Sequence, residues 1–326
     1  MNNLALAALV LAVEMFVGYP PLLFNAIGHP VQWIGNIVTY LDEGLNDPDV
    51  SAHQNRLNGV IATVVLIAAV GIPAWIAAIV LTHFPYGWIV NVALATTFVA
   101  QKSLRDHVLA VDHALGGSIV AARLAVAKIV GRDPSSLDKN DVAKAALESL
   151  AENTADGIVA PIFWYALFGL PGLAIYKAIN TADSMIGHKS EKYQNFGWAA
   201  AKLDDVINLP ASRLTGLLFA GAALLSSKAE AINAWNTMWR DAGKHQSPNA
   251  GWPEAAMAGA LGLRFGGPRK YDGETVDLPF MGDGKNVERQ DIAKGLALFD
   301  MALIILIVLA VVLAMALSMP VASPLR

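Results

Sequence analysis

Glu148, Glu152 and Asp156 stand four residues apart in the segment AKAALESLAENTADG, residues 143–157. A helix turns about 100° per residue, so an i, i+4, i+8 set drifts only about 40° per step and lines one face. An uncharged run of 19 residues begins at Ile158. Stacked carboxylates beside an apolar segment repel one another unless a cation or a basic partner sits between them. Hard oxygen donors of this kind suit Mg²⁺ carrying a phosphorylated substrate. The plainer alternative is a solvated acidic face.

Further donors follow. Asn180 and Asp183 in NTADSMIG are three apart and share a helix face, with Ser184 and Gly187 leaving room for a phosphate. Asp204 and Asp205 are adjacent and cannot face one way on a helix, so one binds a metal while the other caps or pairs with Arg213. The expected metal set is Glu148, Glu152, Asp156, Asp183 and Asp204. Arg123, Lys177, Lys189 and Arg213 are the expected counter-charges for phosphates. Ionisable groups at membrane depth are costly and suggest function. Near the C-terminus, His245, Ser247, Asn249 and Gly251 form an irregular polar loop before a helix at 255–263. A loop entering a helix N-terminus offers N–H groups to an anion; a surface loop before a tightly packed Ala/Gly helix is the plainer alternative.

The elements that must position these groups are membrane helices. Of 326 residues, 55% are hydrophobic and only 15% charged, against about 25% charged in ordinary soluble proteins. Apolar stretches are expected to enter the membrane near residues 4–17, 59–81, 86–100, 158–176, 207–227 and 302–319. The run Gly59–Leu81 has 23 residues without a charge, enough to cross about 30 Å of hydrocarbon. Seven Lys/Arg in 101–157 and nine in 228–295 place both segments in the cytoplasm by the positive-inside rule. The first twenty residues lack a basic leader and carry Glu14, which marks a retained segment rather than a cleaved signal. Gly169-Leu170-Pro171-Gly172 interrupts the fourth apolar stretch. A break there makes a re-entrant hairpin of two half-helices, with a plain kinked helix as the alternative; such backbone is tolerated when buried in protein. The fold class is all-α: a polytopic membrane protein with about four to six membrane segments, one membrane-embedded catalytic domain over 1–326, and cytoplasmic helices and loops.

Some chemistry is excluded. The absence of cysteine removes disulfides and thiolate nucleophiles. A net charge of −4 gives no reason to expect a nucleic-acid partner. There is no GxxxxGK[ST], so an ATP site here is not a P-loop. His107 and His113, six apart, do not share a helix face.

Four motifs together resemble one family. They are GHPVQWIG (28–35), GRDPSSLDKNDVAKAALESLAENTADGIVAPIFWYALFGLPG (131–172), YKAINTADSMIGHKSEKYQNFGWAAAKLDDVINLPASRLT (176–215) and HQSPNAGWPEAAMAGALGLRFGGPRKYDG (245–273). The chain resembles the cobinamide-phosphate synthases of cobalamin biosynthesis from about residue 14 to 295. The resemblance implies a ligase that joins (R)-1-amino-2-propanol, or its O-phosphate, to the propionate carboxylate of adenosylcobyric acid, using ATP and Mg²⁺. It implies a corrinoid substrate, a lipid bilayer, other membrane enzymes of late cobalamin assembly as partners, and an inner (plasma) membrane location with the site facing the cytoplasm. On residue chemistry, the five carboxylates would surround Mg²⁺, with Glu152 also catalytic. Arg123, Asn180, Ser184, Lys189, Arg213, Ser247 and Asn249 would hold substrate or phosphate. His29 or His245 would take the amine proton. Two rival readings are a metal-dependent phospho-alcohol or prenyl transferase, whose DDxxD spacing is absent, and a transporter with a broken helix and midplane acids.

Overall fold

Five helices among the described residues begin where a side chain accepts one of the first free N–H groups. Asn2 accepts from Ala5 to open α1 (Asn3–Val17). After α2 (Pro21–Ile27), His29 caps α3 (Pro30–Leu45) in a reciprocal capping box with Gln32. Ser51 opens α4 (Ala52–Thr82), which runs unbroken through Pro73 and turns at His83–Tyr86 into α5 (Gly87–Thr96). Then come α6 (Gln101–Leu115), α7 (Ile119–Val126) and α8 (Lys139–Thr154), the last capped by Asp138. A π turn, Ala155–Val159, joins α8 to α9 (Ala160–Ile186). The chain continues through α10 (Trp198–Ile207), α11 (Leu209–Ser226), α12 (Lys228–Asp241), α13 (Gly251–Leu261) and α14 (Asp291–Ser318). Between α13 and α14 lie four short strands, β1 (Phe265–Gly266), β2 (Arg269–Tyr271), β3 (Glu274–Val276) and β4 (Phe280–Met281). They pair antiparallel as β1 with β4 and β2 with β3. This is a computed structural model, and it describes residues 2–131, 133–271 and 274–319.

The protein is all-helical apart from those strands. Among the described residues, four helical stretches are long and apolar enough to cross a membrane: Ala52–Thr82, Lys139–Ile186, Leu209–Ser226 and Asp291–Ser318. One face of α4 and the second half of α14 carry exposed Val, Ile and Leu side chains, as lipid-facing helices do. Asn2 Nδ2 donates to the Ala314 carbonyl at 3.1 Å, so α1 begins where α14 ends.

The stretch Lys139–Ile186 is not one straight rod. Gly169 leaves helical geometry at φ 66°, ψ −154°, a conformation open to glycine and strained for other residues. Beyond it the chain folds back. The Tyr176 hydroxyl lies 3.0 Å from the Asp156 carbonyl oxygen, although twenty residues of straight helix would separate them by about 30 Å. The arms meet so closely at Gly172 that a Cβ there would sit 2.5 Å from the Trp164 carbonyl oxygen. The helical hairpin expected at Gly-Leu-Pro-Gly is therefore present, with Gly169 near Asn3 at its tip.

One expected segment differs. The segment 86–100 is shorter as a helix, because α5 stops at Thr96 and the Ala100 N–H bonds the Gly157 carbonyl instead of continuing a helix. Leu209–Ser226, expected as a membrane segment over 207–227, is long and apolar enough to cross and is partly covered by protein. It packs against α12, α13 and α14, and Ala222, Leu225 and Ser226 line one groove with Lys294 and Leu298 near the start of α14. The main core joins α1, α5–α9, α11–α14 and the strands. A second cluster of Ile34, Val38, Leu66, Ala178, Ile186 and Phe196 packs α3, α4, the end of α9 and the segment before α10.

Candidate active site

The hairpin brings residues from distant segments to its open end. Asp156 occupies the π turn and Lys177, Asn180 and Asp183 lie on the returning arm. Asp204 comes from α10. A π turn inserts one extra residue, and such turns recur at functional sites. Asp156 is within electrostatic reach of Glu152, Asp183, Asp204 and Lys177, and Asp183 is within reach of Glu152 and Asp205. Asp204 is buried, only 8% exposed. Its Oδ2 accepts Asn208 Nδ2 at 2.9 Å and its Oδ1 accepts Asn180 Nδ2 at 3.3 Å. Burial, and then the Asp183 charge, push the Asp204 carboxyl up to about 7, against the hydrogen bonds from Asn180 and Asn208. Asn208 Oδ1 in turn lies 2.9 Å from the Tyr176 hydroxyl. Lys177 Nζ donates to Asn180 Oδ1 at 3.3 Å, so one polar chain ties the lysine to Asp204.

Three cavities surround the cluster. One, of about 740 Å³, is lined by Asp183, Lys189, Lys202, Asp205, Arg213, His245, Ser247, Trp198 and Trp252. Two of its walls are aromatic faces under guanidinium groups: Arg213 lies 4.6 Å from the Trp252 ring centre and Arg56 4.8 Å from that of Trp198. A second cavity, of about 790 Å³, holds Glu14, His29, Lys102, Asp106, His107 and Lys177. A third, of about 410 Å³, shares Ser103, His107 and Lys177 with the second and adds Lys128, Asn153, Asp156 and Asn180.

Several expected residues have other duties. Glu148 does not join the carboxylate cluster. It is buried, and its Oε1 accepts the Gly266 N–H at 2.7 Å, fastening α8 to β1. The α-helix ends at Thr154, so the regular i, i+4, i+8 face assumed for the three acids does not extend to Asp156. Arg123 donates from Nε to the Leu137 carbonyl at 2.8 Å and lines none of these three cavities. It braces α7 to the turn before α8. Asn249 is buried and bonds Ser212, Arg213 and the Asp205 carbonyl, so it holds the loop in place rather than a substrate. The Ser247 hydroxyl accepts the Asn249 and Ala250 N–H groups, which are therefore not left to an anion. Ser184 donates to the Asn180 carbonyl on an exposed face. A Cβ at Gly187 would collide with Asp183 Oδ1, so that glycine clears space for the carboxylate.

Both histidines are oriented by backbone donors. Val31 N–H points to His29 Nδ1 at 3.2 Å, and Ser247 N–H to His245 Nδ1 at 3.0 Å. A backbone N–H only donates, so each neutral ring carries its proton on Nε2. His29 lines the second cavity and His245 the first, where its Nε2 lies 3.7 Å from Oε1 of the buried Glu254. Burial, and then the Lys177 charge, hold His29 below the usual histidine range.

Mg²⁺ is the group the acids imply. Among the described residues no three His, Asp or Glu side chains converge tightly enough to enclose an ion, so a five-carboxylate shell is not built in. The donor set does fit the looser mode of Mg²⁺, which keeps several waters and takes one or two carboxylates plus substrate phosphates. Asp183 and Asp204 with Asn180, beside a cation-lined cavity, are such a set. The cavity partners Lys128 and Lys202, and Asn208, were missed as site residues, whereas Lys177, expected as a phosphate counter-charge, lines two of the cavities. Lys177 carried a sequence signal, a charge three residues before Asn180 at the end of an apolar run.

An all-helical membrane protein with acids gathered at the mouth of a broken-helix hairpin, flanked by cation-bearing cavities, has the layout of an enzyme for charged substrates. Its sequence matches the family described as CobD/Cbib protein over residues 6–299. The chain belongs to that family. A protein of Rhodobacter capsulatus described as "Cobalamin biosynthesis protein CobD" is 47% identical over 308 residues, 93% of this chain and 95% of the relative. Proteins of the same description from Sinorhizobium sp (47% over 304 residues, 91% and 93%) and Brucella suis (49% over 302 residues, 91% and 92%) are similarly close. No solved structure matches. Family membership makes the protein a biosynthetic enzyme of cobalamin assembly.

Proposed function

We propose that the protein joins (R)-1-amino-2-propanol, or its O-phosphate, to adenosylcobyric acid at the cost of ATP. The observation that carries this reading is the gathering of Glu152, Asp156, Asp183 and Asp204 beside a cavity bearing Lys189, Lys202 and Arg213, in a chain of a cobalamin family. A carboxylate and an amine do not condense at neutral pH unaided. The corrinoid carboxylate attacks the γ-phosphorus of ATP and releases ADP, leaving an acyl phosphate. The amine then adds to the acyl carbon and expels inorganic phosphate, giving the amide.

The chain's own groups fit these demands. Lys189, Lys202 and Arg213 hold the triphosphate, and Trp252 and Trp198 offer faces to the adenine. Asp183, Asp204 and Asn180 would hold Mg²⁺, which would supply charge compensation for the phosphoryl group. Glu152, exposed at the edge of the cluster, receives the proton lost by the attacking ammonium. The Lys/Arg-rich segments 101–157 and 228–295 support a site on the cytoplasmic face of the inner membrane.

The test uses full-length protein in lipid nanodiscs with adenosylcobyric acid, Mg-ATP and either amine. ADP and a corrinoid amide are expected to appear together in equal amounts. No amide with either amine overturns the reading.

A further inference from the structure

The second half of α12 shows two tryptophans to the outside. Trp235 and Trp239 are 47% and 57% exposed, with Ile232 exposed beside them. Their spacing of three and four residues puts all three on one face of the helix. The opposite face, with Ala234, Thr237, Met238 and Asp241, is buried. Neither tryptophan lines any of the three cavities. Their ring centres are 5.8 Å apart, and Trp239 meets Trp252 edge-to-face at 5.0 Å. An exposed apolar patch of this kind marks an interaction surface.

Contacts along α9 and α11 fix the depth of that face. Trp164 stands eight residues past Asp156 on the outgoing arm of the hairpin, about 12 Å from the open end toward the tip. Its Nε1 donates to the Ile207 carbonyl at 3.1 Å, so α11 starts at that depth. Leu167, Phe168, Val206 and Leu209 are exposed in this zone, as lipid-facing side chains are. From there α11 climbs past the open end. Its last residues, Leu225 and Ser226, share a groove with Lys294 and Leu298, and the neighbouring Gly295 abuts Leu147 of α8. Gly216, seven residues after Leu209, lies about 10 Å up this path. A Cβ on Gly216 would sit 2.5 Å from Met238 Sδ and 3.2 Å from the Trp252 carbonyl oxygen. Helix α12 therefore runs back down along α11, and Trp239 comes level with the open end of the hairpin. Lipid-facing side chains lie on one side of that level and the carboxylate cluster on the other. Tryptophan settles at such a boundary, with its ring in the apolar layer and its N–H toward the headgroups. We infer that the Trp235–Trp239 face of α12 rests in the phospholipid headgroup layer, so that the segment after α11 returns to the bilayer. Because Trp239 packs on Trp252, and Arg213 lies over the Trp252 ring, lipid then backs one wall of the Lys189 and Arg213 cavity.

Spin labelling of the full-length protein in phosphatidylcholine nanodiscs tests the placement, since the chain has no cysteine of its own. Asn236→Cys puts the label at an exposed position between the two tryptophans and keeps both. Ser135→Cys, exposed in the loop before α8, is the water reference, and Leu309→Cys, exposed on α14, is the lipid reference. Collisions with oxygen, which enters lipid, are compared with collisions with a water-soluble nickel complex. The label at 236 is expected to lie within about 5–10 Å of the headgroup–acyl boundary, with nickel access well below that at 135 and oxygen access approaching that at 309. Nickel access equal to that at 135 overturns the inference. Shielding from both reagents, with an immobilised spectrum, gives the face to a second copy of the chain and overturns it as well. Lipids brominated next to the headgroup supply an independent readout. Trp235→Phe combined with Trp239→Phe is expected to lower the quenchable share of the emission from the eight tryptophans, and an unchanged share overturns the inference. Neither readout involves turnover, so each outcome leaves the ligase reading as it stands.

Discussion

Gly172→Ala tests whether the two arms of α9 are pressed together. The new Cβ would lie 2.5 Å from the Trp164 carbonyl oxygen and 2.7 Å from Phe168 Cβ. Ordinary contact begins at 3.4 Å, so the arms must part by 0.9 Å at the carbonyl (3.4 − 2.5). Overpacking of this kind costs roughly 1–3 kcal/mol. Replacing glycine by alanine inside a helix returns about 0.5–1 kcal/mol. The expected net loss is about 1–2 kcal/mol, which lowers Tm by roughly 2–4 °C per kcal/mol in a chain of this size. Gly44→Ala is the control, because Gly44 also lies in a helix but a Cβ there would meet nothing within 4 Å. That variant is expected to match the parent or gain up to about 1 kcal/mol. Tryptophan fluorescence during a thermal ramp in detergent reads both. Turnover should also fall in Gly172→Ala, since parting the arms moves Tyr176 away from Asp156. Equal melting of the two variants would refute the close packing of the arms and the hairpin built on it.

Other outcomes follow from single contacts. Asp241 is buried, and its two oxygens accept Arg240, Lys244 and the Gly282 N–H. Burial opposes its charge, but those donors together hold its carboxyl well below the usual range. Its contribution to stability is thus present above the unfolded value near 4 and lost on acidification through the lower folded value. Asp241→Asn is expected to cost about 1–3 kcal/mol at neutral pH and to flatten the acid limb of a Tm-against-pH curve. Asp204 has the opposite sign. The unfolded carboxyl ionises near 4 and the folded one only near 7, so ligand-free protein should lose stability as pH rises through that window. Asp204→Asn should remove the slope, and an unchanged slope would assign it to another group. The chain has no cysteine, so single substitutions report topology cleanly. Ser135→Cys and Ser184→Cys, both at exposed positions, should react with an impermeant maleimide from the same side of sealed vesicles. Labelling from opposite sides would mean that Lys139–Ile186 crosses the bilayer.

The hairpin was legible in the sequence because its cause is local. A positive-φ glycine followed by proline and a second glycine cannot continue an α-helix and allows close approach. The carboxylate cluster was legible in composition but misassigned in detail. Four-residue spacing implied one face, and nothing in ADGIV announces the extra residue of a π turn. Glu148 looks like Glu152 on paper; only the arrival of the Gly266 N–H, 118 residues later, separates them. Arg123 and Asn249 were misjudged for the same reason, since their partners are backbone carbonyls and side chains set by tertiary packing. Leu209–Ser226 was legible as an apolar run long enough to cross. Hydropathy records that a helix avoids water, and cannot say whether lipid or α12, α13 and α14 shield it. The strands between α13 and α14 are two or three residues long and carry no usable period.

The five residues Ala155–Val159 carry a further consequence. A helix with one surplus residue stores a phase offset of about 100°. Deleting one residue there would restore a regular spiral and swing everything downstream about the α8 axis. The returning arm would then face a different wall, and Tyr176, Lys177 and Asp183 would be aimed away from α10. Length variation is thus forbidden at this bend.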